Sequence, residues 1–385
     1  MMKSGPTLIY DKSVIEGMST EAAHWLHHHF HAVVAPPLLI EVIGNLKKSR
    51  GGKTGEELVA SIAAHMPSYA VTPTMDYREL FTHELMGGAL ELGRRPYLAG
   101  GRRVRAADGS QGLVYDEPPE VIALRRWQSG DFNGLERAMA DQWQDSLKAL
   151  DLKALKQHLK GIKVVFGKTP APRTVLQYVD DILLNGERYR TLSMGLEMMN
   201  TPPNVARVAI RRWKVSGRPK LQHFAPYFNY LVRIEMFFSL LIASDVISNE
   251  RPKHRADFLY FYYLPFTSIF TSNDKLHIQL APLLMGLDQM FVSGEDLRED
   301  MNKLARRYSN LPKDIQETGS MTYAAFPPRD GDFLTATIYD RLMPNWRDRA
   351  AIPKKPITRE ENAKIMAHLK PMIDAISALN KNSGS

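Results

Sequence analysis

The chain has 385 residues, of which 44% are hydrophobic and 24% charged, and its formal net charge is +8. This balance excludes wholesale disorder and predicts one large domain or two moderate ones with a sizeable core. The sequence contains no cysteine, which excludes disulfides, thiolate metal sites and a cysteine nucleophile, and which is compatible with a reducing compartment. The positive charge suits a polyanionic partner such as nucleic acid, and equally a basic surface that aids solubility.

The sequence shows neither a signal peptide nor a membrane span. Its N-terminal residues lack the apolar stretch of a secretory signal. The most apolar segment, residues 227–247, is interrupted by Asn229, Arg233, Glu235 and Asp245. Such polar residues are costly in a bilayer, so this segment is predicted to be a buried core helix. We therefore expect a soluble, cytoplasmic protein with no membrane partner.

The first fifty residues alternate between strand and helix patterns. The apolar run Thr7–Tyr10 predicts a buried strand that ends at Asp11, and a helix capped by Ser19 follows, to about residue 30. Residues 31–35 predict a second strand, and two prolines open a helix over residues 38–48. This order is typical of a βαβ unit with parallel strands.

Residues 51–225 are predicted to be a mainly helical insertion with one β-hairpin, formed by residues 94–105 and 112–115. The alternation of helix and strand returns after this insertion. The predicted elements there are helices over 227–247 and 257–263, a strand over 266–271, a helix over 276–287, a strand over 290–293 and a helix over 297–308. Residues 311–385 form a proline-punctuated C-terminal extension that ends in a helix over about 359–379.

Four acidic residues occupy informative places in this pattern. Asp11 and Asp274 each follow a predicted strand, Glu41 lies one turn into the helix after the second strand, and Asp257 precedes Asp274 by seventeen residues. Sites in open parallel sheets form outside the carboxyl ends of the strands, so these acids are predicted to meet in one pocket. Clustered carboxylates are the ligands that Mg²⁺ and Mn²⁺ prefer, and such a metal activates water for phosphodiester hydrolysis.

The same residues carry a resemblance to a known family. The stretch from Leu8-Ile-Tyr-Asp11 to Leu38-Leu-Ile-Glu41 is similar to the opening of PIN-domain ribonucleases. The stretch from Ala256-Asp-Phe-Leu to Phe270-Thr-Ser-Asn-Asp-Lys275 is similar to the second half of that family. The resemblance implies an α/β fold, a small parallel sheet flanked by helices. It also implies a PIN-like domain split between residues 1–50 and 226–310, whereas the insertion and the C-terminal extension have no counterpart in it.

The resemblance assigns roles to particular residues. The implied catalytic and metal-binding residues, which would hold Mg²⁺ or Mn²⁺, are Asp11, Glu41, Asp257 and Asp274. Ser272 or Asn273 would assist with phosphate or water. The alternative for the four acids is that Asp11 and Asp274 are turn and cap residues, and that Glu41 and Asp257 are solvated helix positions.

Two basic stretches complete the sequence-based site. A predicted loop over residues 251–255 contains Arg251, Lys253 and Arg255 and would grip substrate phosphates beside Asp257. A second stretch, residues 207–220, surrounds Trp213 and either binds nucleic acid or is a solvated helix face with a core tryptophan.

The sequence therefore predicts a metal-dependent endonuclease that cleaves RNA, with RNA favoured over DNA as partner. Family analogy adds a toxin or phage-defence role. One alternative is a catalytically silent PIN-like scaffold that binds nucleic acid or protein. Another is a flap-type DNA nuclease in which the insertion forms an arch over the site. We also expect a homo-oligomer or a protein partner bound through the insertion.

Overall fold

A five-stranded parallel sheet lies at the centre of the computed structural model, which describes residues 5–67, 71–98, 101–105, 111–115, 117–159, 166, 169–351, 364, 367 and 370. The strands, in chain order, are β1 (Thr7–Tyr10), β2 (His31–Val34), β3 (Thr72–Pro73), β4 (Gly101–Arg105), β5 (Gln111–Tyr115), β6 (Ile269–Ser272) and β7 (Met290–Ser293). The central sheet has the order β3-β2-β1-β6-β7, and β4 and β5 form a separate antiparallel pair. The predicted α/β fold class is confirmed.

Helices account for most of the remaining described chain. The first three are α1 (Lys12–Glu16), α2 (Thr20–His29) and α3 (Pro36–Ile43). The middle region contains α4 (Gly55–Ala63), α5 (Tyr77–Leu85), α6 (Pro119–Gln128), α7 (Gly134–Ala149), α8 (Leu152–Leu159), α9 (Pro172–Asn185), α10 (Arg188–Met198), α11 (Pro203–Val215), α12 (Leu221–Phe224) and α13 (Pro226–Ala243). The second half contains α14 (Lys253–Phe261), α15 (Lys275–Leu284), α16 (Gly294–Ser309), α17 (Lys313–Glu317), α18 (Ser320–Tyr323), α19 (Leu334–Leu342) and α20 (Trp346–Ala351). Short 3₁₀ turns cover Gly44–Lys47 and Leu264–Phe266.

The central strands are short apolar runs because helices cover the sheet. All four residues of β6 are buried, and so are three of four in β1 and in β2. The register places Ile9 of β1 between Val33 of β2 and Phe270 of β6. Helix α2 packs against α16, and α3 packs against α7 and α14. The first and last parts of the chain therefore build one core.

The structure departs from the sequence-based elements at β3 and at the start of α14. The strand β3 was not predicted, although it pairs with β2 from within residues 51–225. The prediction of a loop over residues 251–255 is wrong from Lys253 onward, because α14 begins there. Its start follows Pro252, whose fixed φ suits the first turn of a helix. The turn of the predicted hairpin, and most of the predicted helix over 359–379, lie outside the described residues. The division into domains stays a prediction.

Helix α13 has twelve buried residues, more than any other helix in the described ranges. No helix in the described ranges is long and apolar enough to cross a membrane. The residue before α13, Ala225, offers no side-chain cap. Instead the carboxylate of Glu84, at the end of α5, accepts the backbone N–H groups of Tyr227 (3.0 Å) and Phe228 (2.8 Å). Burial raises the pKa of Glu84, and these two hydrogen bonds partly offset the rise. The cap joins α5 to α13.

We expect replacement of Glu84 to loosen this junction. Glu84→Gln keeps a neutral acceptor and should lower the free energy of unfolding by about 1 kcal/mol, whereas Glu84→Ala leaves both N–H groups without a partner and should cost about 2–4 kcal/mol. Urea denaturation followed by circular dichroism measures both changes. Glu79→Ala on the exposed side of α5 is the control, with an expected change within about 0.5 kcal/mol. Equal losses for Glu79→Ala and Glu84→Ala would contradict the capping role.

Candidate functional site

The order of the strands places a site between β1 and β6. From β1 the chain proceeds to β2 and β3 on one side, and later returns to β6 and β7 on the other side. Such a reversal opens a crevice at the carboxyl ends of the two central strands. Asp11 directly follows β1, and Asn273 and Asp274 directly follow β6. The polar residues that sequence analysis selected therefore lie at this crevice.

Asp11 is 5% exposed and is held by hydrogen bonds on both carboxylate oxygens. It caps α1 by accepting the backbone N–H of Val14 (3.3 Å), and it also accepts the hydroxyl of Ser13 (2.6 Å). Its other oxygen accepts the hydroxyl of Ser272 (2.6 Å), on the neighbouring strand. The hydroxyl oxygen of Ser272 in turn accepts the backbone N–H of Asp274 (2.9 Å). These contacts fix the Asp11 carboxylate at the strand ends.

A buried histidine on α15 completes the surroundings of Asp11. His277 Nδ1 lies 3.3 Å from Asp11 Oδ2 and 2.8 Å from Ser272 Oγ. Its Nε2 lies 2.8 Å from the backbone carbonyl of Asp257, so Nε2 carries a proton and donates it. The His277 ring is 1% exposed and packs edge-on against Phe270. His277 thus connects β1, β6 and α14.

Asp11 and His277 form a buried ion pair. Burial opposes the charge of Asp11, but hydrogen bonds and attraction from His277, with the two serine hydroxyls, hold its pKa below the usual value. Burial likewise opposes the charge of His277, but the hydrogen bond and attraction of Asp11 raise its pKa above the usual value. Both shifts favour the charged forms of the pair, the Asp11 carboxylate and the His277 imidazolium.

Glu41 approaches the same crevice from α3. Its Oε2 accepts the hydroxyl proton of Tyr260 (2.7 Å), which is fully buried on α14. Burial raises the pKa of Glu41; Tyr260 lowers it, and the negative charges of Asp257 and Asp11 raise it further. The charges of two of the other three acids therefore affect the pKa of Glu41.

Asp257 and Asp274 meet at a lysine. The ammonium of Lys253 lies 3.8 Å from Asp257 Oδ1 and 3.9 Å from Asp274 Oδ2. Asp257 is 4% exposed, and its second oxygen lies 3.7 Å from His254 Nδ1. Asp274 caps α15 by accepting the backbone N–H of Leu276 (2.8 Å). Its cap role, anticipated as the alternative reading, therefore coexists with a place in the crevice.

The ammonium of Lys253 reports how the four acids are arranged. Burial alone would lower its pKa, but the attraction of nearby carboxylates raises it above the usual value. The contributing acids, in decreasing order, are Asp257, Glu41, Asp274 and Asp11. The negative charges of all four acids thus contribute to the raised pKa of this one lysine.

The donor chemistry of the crevice suits Mg²⁺ or Mn²⁺, since every acid offers hard oxygen ligands. The grouping does not yet suit them. In the described part of the chain, no three histidine or acidic side chains are close enough together to hold a metal ion. Both oxygens of Asp11 already have partners, and Lys253 faces Asp257 and Asp274. A metal would bind here only after Lys253 withdraws and the acids draw closer.

The other sequence-selected residues have different places. Ser272 is fully buried and positions Asp11, whereas the backbone N–H of Asn273 is donated to the Ser13 hydroxyl (3.0 Å). Arg255 does not contact the four acids. It pairs instead with Glu235 (2.5 Å), beside an apolar cavity of about 610 Å³. Arg251 is exposed before α14. Of the three predicted basic residues, Lys253 is the one whose contacts with the acids are seen.

Sequence reasoning missed His277, Tyr260 and Ser13. Each is a single polar residue at a helix position, and none has a spacing that separates it from ordinary core or turn residues. A weak signal exists for His277, which lies three residues after Asp274. That spacing places both residues on one face of the helix that begins at the sheet edge.

No family model, curated protein or solved structure matches this chain. What the structure itself defines is an α/β protein with an all-parallel sheet of five strands and large helical regions in the middle and toward the C-terminus.

The ion pair of Asp11 and His277 predicts a particular pH dependence of stability. The raised pKa of His277 gives stability that is complete below its ordinary value of 6.5 and is lost as pH rises through the folded value. The lowered pKa of Asp11 gives stability that is present above its ordinary value of 3.8 and is lost as pH falls through the folded value.

His277→Gln should therefore lower the free energy of unfolding most near pH 5, by about 2–4 kcal/mol, and progressively less toward pH 9. Denaturation of both proteins in EDTA across pH 5–9 measures the difference. A difference that stays constant over this range would show that His277 is not charged in the folded protein.

Proposed function

We propose that this protein is a metal-dependent endonuclease that hydrolyses phosphodiester bonds in RNA. One observation carries the proposal: Lys253 lies 3.8 Å from Asp257 and 3.9 Å from Asp274 at the crevice where the strand order reverses, and Asp11 and Glu41 are bound to the neighbouring β6 and α14. Packing four carboxylates near one another is unfavourable unless a cation relieves their repulsion. The fold maintains this arrangement with a network of hydrogen bonds.

The chemistry that suits these groups is metal-assisted hydrolysis. A bound Mg²⁺ or Mn²⁺ would activate a water molecule and neutralise charge on the phosphate. The chain supplies the surrounding functions. His277 and Ser272 hold Asp11 in its ionised form, Tyr260 orients Glu41, and Lys253 offers a positive charge to a substrate phosphate.

The resemblance to PIN-domain ribonucleases supports RNA as the substrate class. The order of strand, Asp11, helix, strand and Glu41 is present, and so is a helix that carries Asp257 before a strand followed by Asp274. A toxin or phage-defence role and a cytoplasmic location follow from analogy and composition, and both stay predictions.

A second function is favoured by the position of Lys253. A lysine among the acids is expected of a catalytically silent scaffold that binds nucleic acid or protein. However, its side chain is 66% exposed and its distances of 3.8 and 3.9 Å exceed those of hydrogen bonds. Lys253 is therefore held loosely, and a metal ion that replaced it would compensate the buried charge of Asp257, whose side chain is 6% exposed. For this reason we favour the enzyme.

Cleavage of labelled nucleic acid tests the proposal. We expect the protein to cut single-stranded RNA in Mn²⁺ or Mg²⁺ but not in EDTA, and Asp11→Asn/Asp274→Asn to reduce the rate by about a hundredfold or more. Asp274→Asn alone should retain the helix cap, because asparagine caps as well as aspartate, and should still lose most activity. Single-stranded DNA and a DNA flap, offered in parallel, decide between RNA and the flap-type alternative.

The matched control is Asp145→Asn/Asp314→Asn, which removes two exposed acids that contact neither the four crevice acids nor Lys253 and should leave the rate unchanged. Circular dichroism establishes that each variant is folded. Binding of RNA without cleavage in any metal would favour the silent scaffold over the enzyme.

The lysine makes a separate prediction. Lys253→Met removes a positive charge from the acids and should strengthen Mn²⁺ binding roughly threefold to tenfold, a modest effect because the side chain is largely exposed. Isothermal titration with MnCl₂ measures the change. Lys153→Met, which removes an exposed lysine paired with Glu250, is the control. Unchanged Mn²⁺ affinity in Lys253→Met would show that this lysine does not lie near the metal ion.

A further inference from the structure

A basic surface lies on α10 and α11, whose cations contact none of the four crevice acids within the described residues. Residues 186–220 contain eight lysines and arginines against two glutamates, a net charge of +6 in a chain whose total is +8. Five exposed cations define what we call the α10–α11 surface: Arg188, Arg207, Arg211, Lys214 and Arg218. Within the described residues, none of the five forms an ion pair with a carboxylate. Their charge is therefore available to a partner.

An open cleft of about 710 Å³ lies within this surface. Arg188, Lys214 and Arg218 line it, and so does Tyr189, whose side chain is 47% exposed. The Tyr189 ring lies against the ring of Trp213, with centroids 6.0 Å apart. Trp213 itself is buried and cannot stack on a base, but it supports Tyr189 from behind. The cleft thus combines three cations and one exposed aromatic ring with a single carboxylate, Glu187, whose oxygens accept the backbone N–H groups of Tyr189 and Arg190.

The walls of the cleft are held in place by backbone contacts. The indole N–H of Trp213 is donated to the carbonyl of Pro219 (2.8 Å), and Arg188 donates to the carbonyl of Arg218 (3.1 Å). Arg218 has a φ of +55°, a left-handed conformation that is unfavourable for a residue with a Cβ. Glycine would fit this position without strain, so the arginine side chain is retained at a cost to stability.

We propose that the α10–α11 surface binds the phosphate backbone of a single-stranded nucleic acid, with one base stacked on Tyr189. Clustered unpaired cations recognise phosphates, and a supported aromatic ring in a basic cleft is the arrangement that single strands bind. A membrane would be attracted by the same charge, but the cleft is concave and its aromatic ring faces Trp213. The inference rests on the proposed nuclease function, for which this surface holds the strand at a distance from the crevice.

Binding of a labelled 24-nucleotide single-stranded RNA, followed by fluorescence anisotropy in EDTA, tests the inference. The full chain carries Asp11→Asn/Asp274→Asn, so that no strand is cut. Adding Arg188→Gln/Lys214→Gln/Arg218→Gln should raise Kd roughly tenfold to a hundredfold at about 0.1 M salt. The slope of log Kd against log salt should fall by about 2, since each lost phosphate contact contributes about 0.7 for a single strand.

The matched control is Lys148→Gln/Arg306→Gln/Lys313→Gln, which removes the same charge from exposed positions elsewhere and should change Kd by less than about threefold. An equal loss in both triple variants would show that only the overall charge matters and would overturn the inference.

Two single variants test the details of the cleft. Tyr189→Ala should raise Kd about fivefold or more, and Tyr189→Phe should restore binding, because the ring and not the hydroxyl stacks on a base. Arg218→Gly should raise Kd while raising the unfolding temperature, because it removes the charge and the backbone strain together. Unchanged RNA affinity in Tyr189→Ala and Arg218→Gly would overturn the inference.

The remaining outcomes separate this inference from the nuclease. The wild-type protein could show no cleavage while the triple variant still loses RNA binding. This outcome would support the α10–α11 surface and contradict the nuclease proposal. Cleavage that depends on the acids, together with normal RNA binding by the triple variant, would support the nuclease proposal and contradict the proposal for the α10–α11 surface. Co-sedimentation with vesicles of phosphatidylglycerol and phosphatidylcholine, together with no RNA or DNA binding, would overturn the inference and identify a membrane as the partner of this surface.

Discussion

The pairing of β1 with β6 determines where the candidate site forms. The two strands are more than 250 residues apart in the chain, yet their register places Tyr10 beside Thr271. This pairing brings Asp11 within hydrogen-bonding distance of Ser272 and His277. Because both strands end at the same edge of the sheet, α14 and α15 deliver Asp257 and Asp274 there as well. Without this pairing, the four acids would have no common neighbour.

The helical regions attach to this core through acidic side chains that cap distant helices. Glu84 caps α13, and Asp300 of α16 accepts the backbone N–H groups of Leu334 (2.7 Å) and Thr335 (2.8 Å) at the start of α19. In both cases the capped helix lacks a side-chain cap from its own preceding residue. A carboxylate at a helix N-terminus satisfies free N–H groups and complements the helix dipole. The middle and C-terminal regions are thereby fixed to the elements that carry the site.

Much of the fold was predictable from sequence because buried parallel strands appear as short apolar runs. Four of the five central strands were recognised in this way, and the acids at their ends followed from the geometry of parallel sheets. The strand β3 was missed because it has two residues and one of them is a proline. Lys253 was assigned to a loop, and the start of α14 at that residue is what directs its ammonium toward the acids. His277 was missed because one buried histidine on a helix has no periodic signature, and its spacing of three residues from Asp274 is a weak signal.

The central claim is that the four acids share one cation position beside Lys253. Diffraction from crystals soaked in MnCl₂, recorded at the manganese absorption edge, tests it most directly. We expect one strong anomalous peak bounded by Asp11, Glu41, Asp257 and Asp274, with the Lys253 side chain displaced toward solvent. A crevice without such a peak, with Lys253 still beside Asp257 and Asp274, would show that the four acids hold no metal ion and that the lysine is their permanent partner.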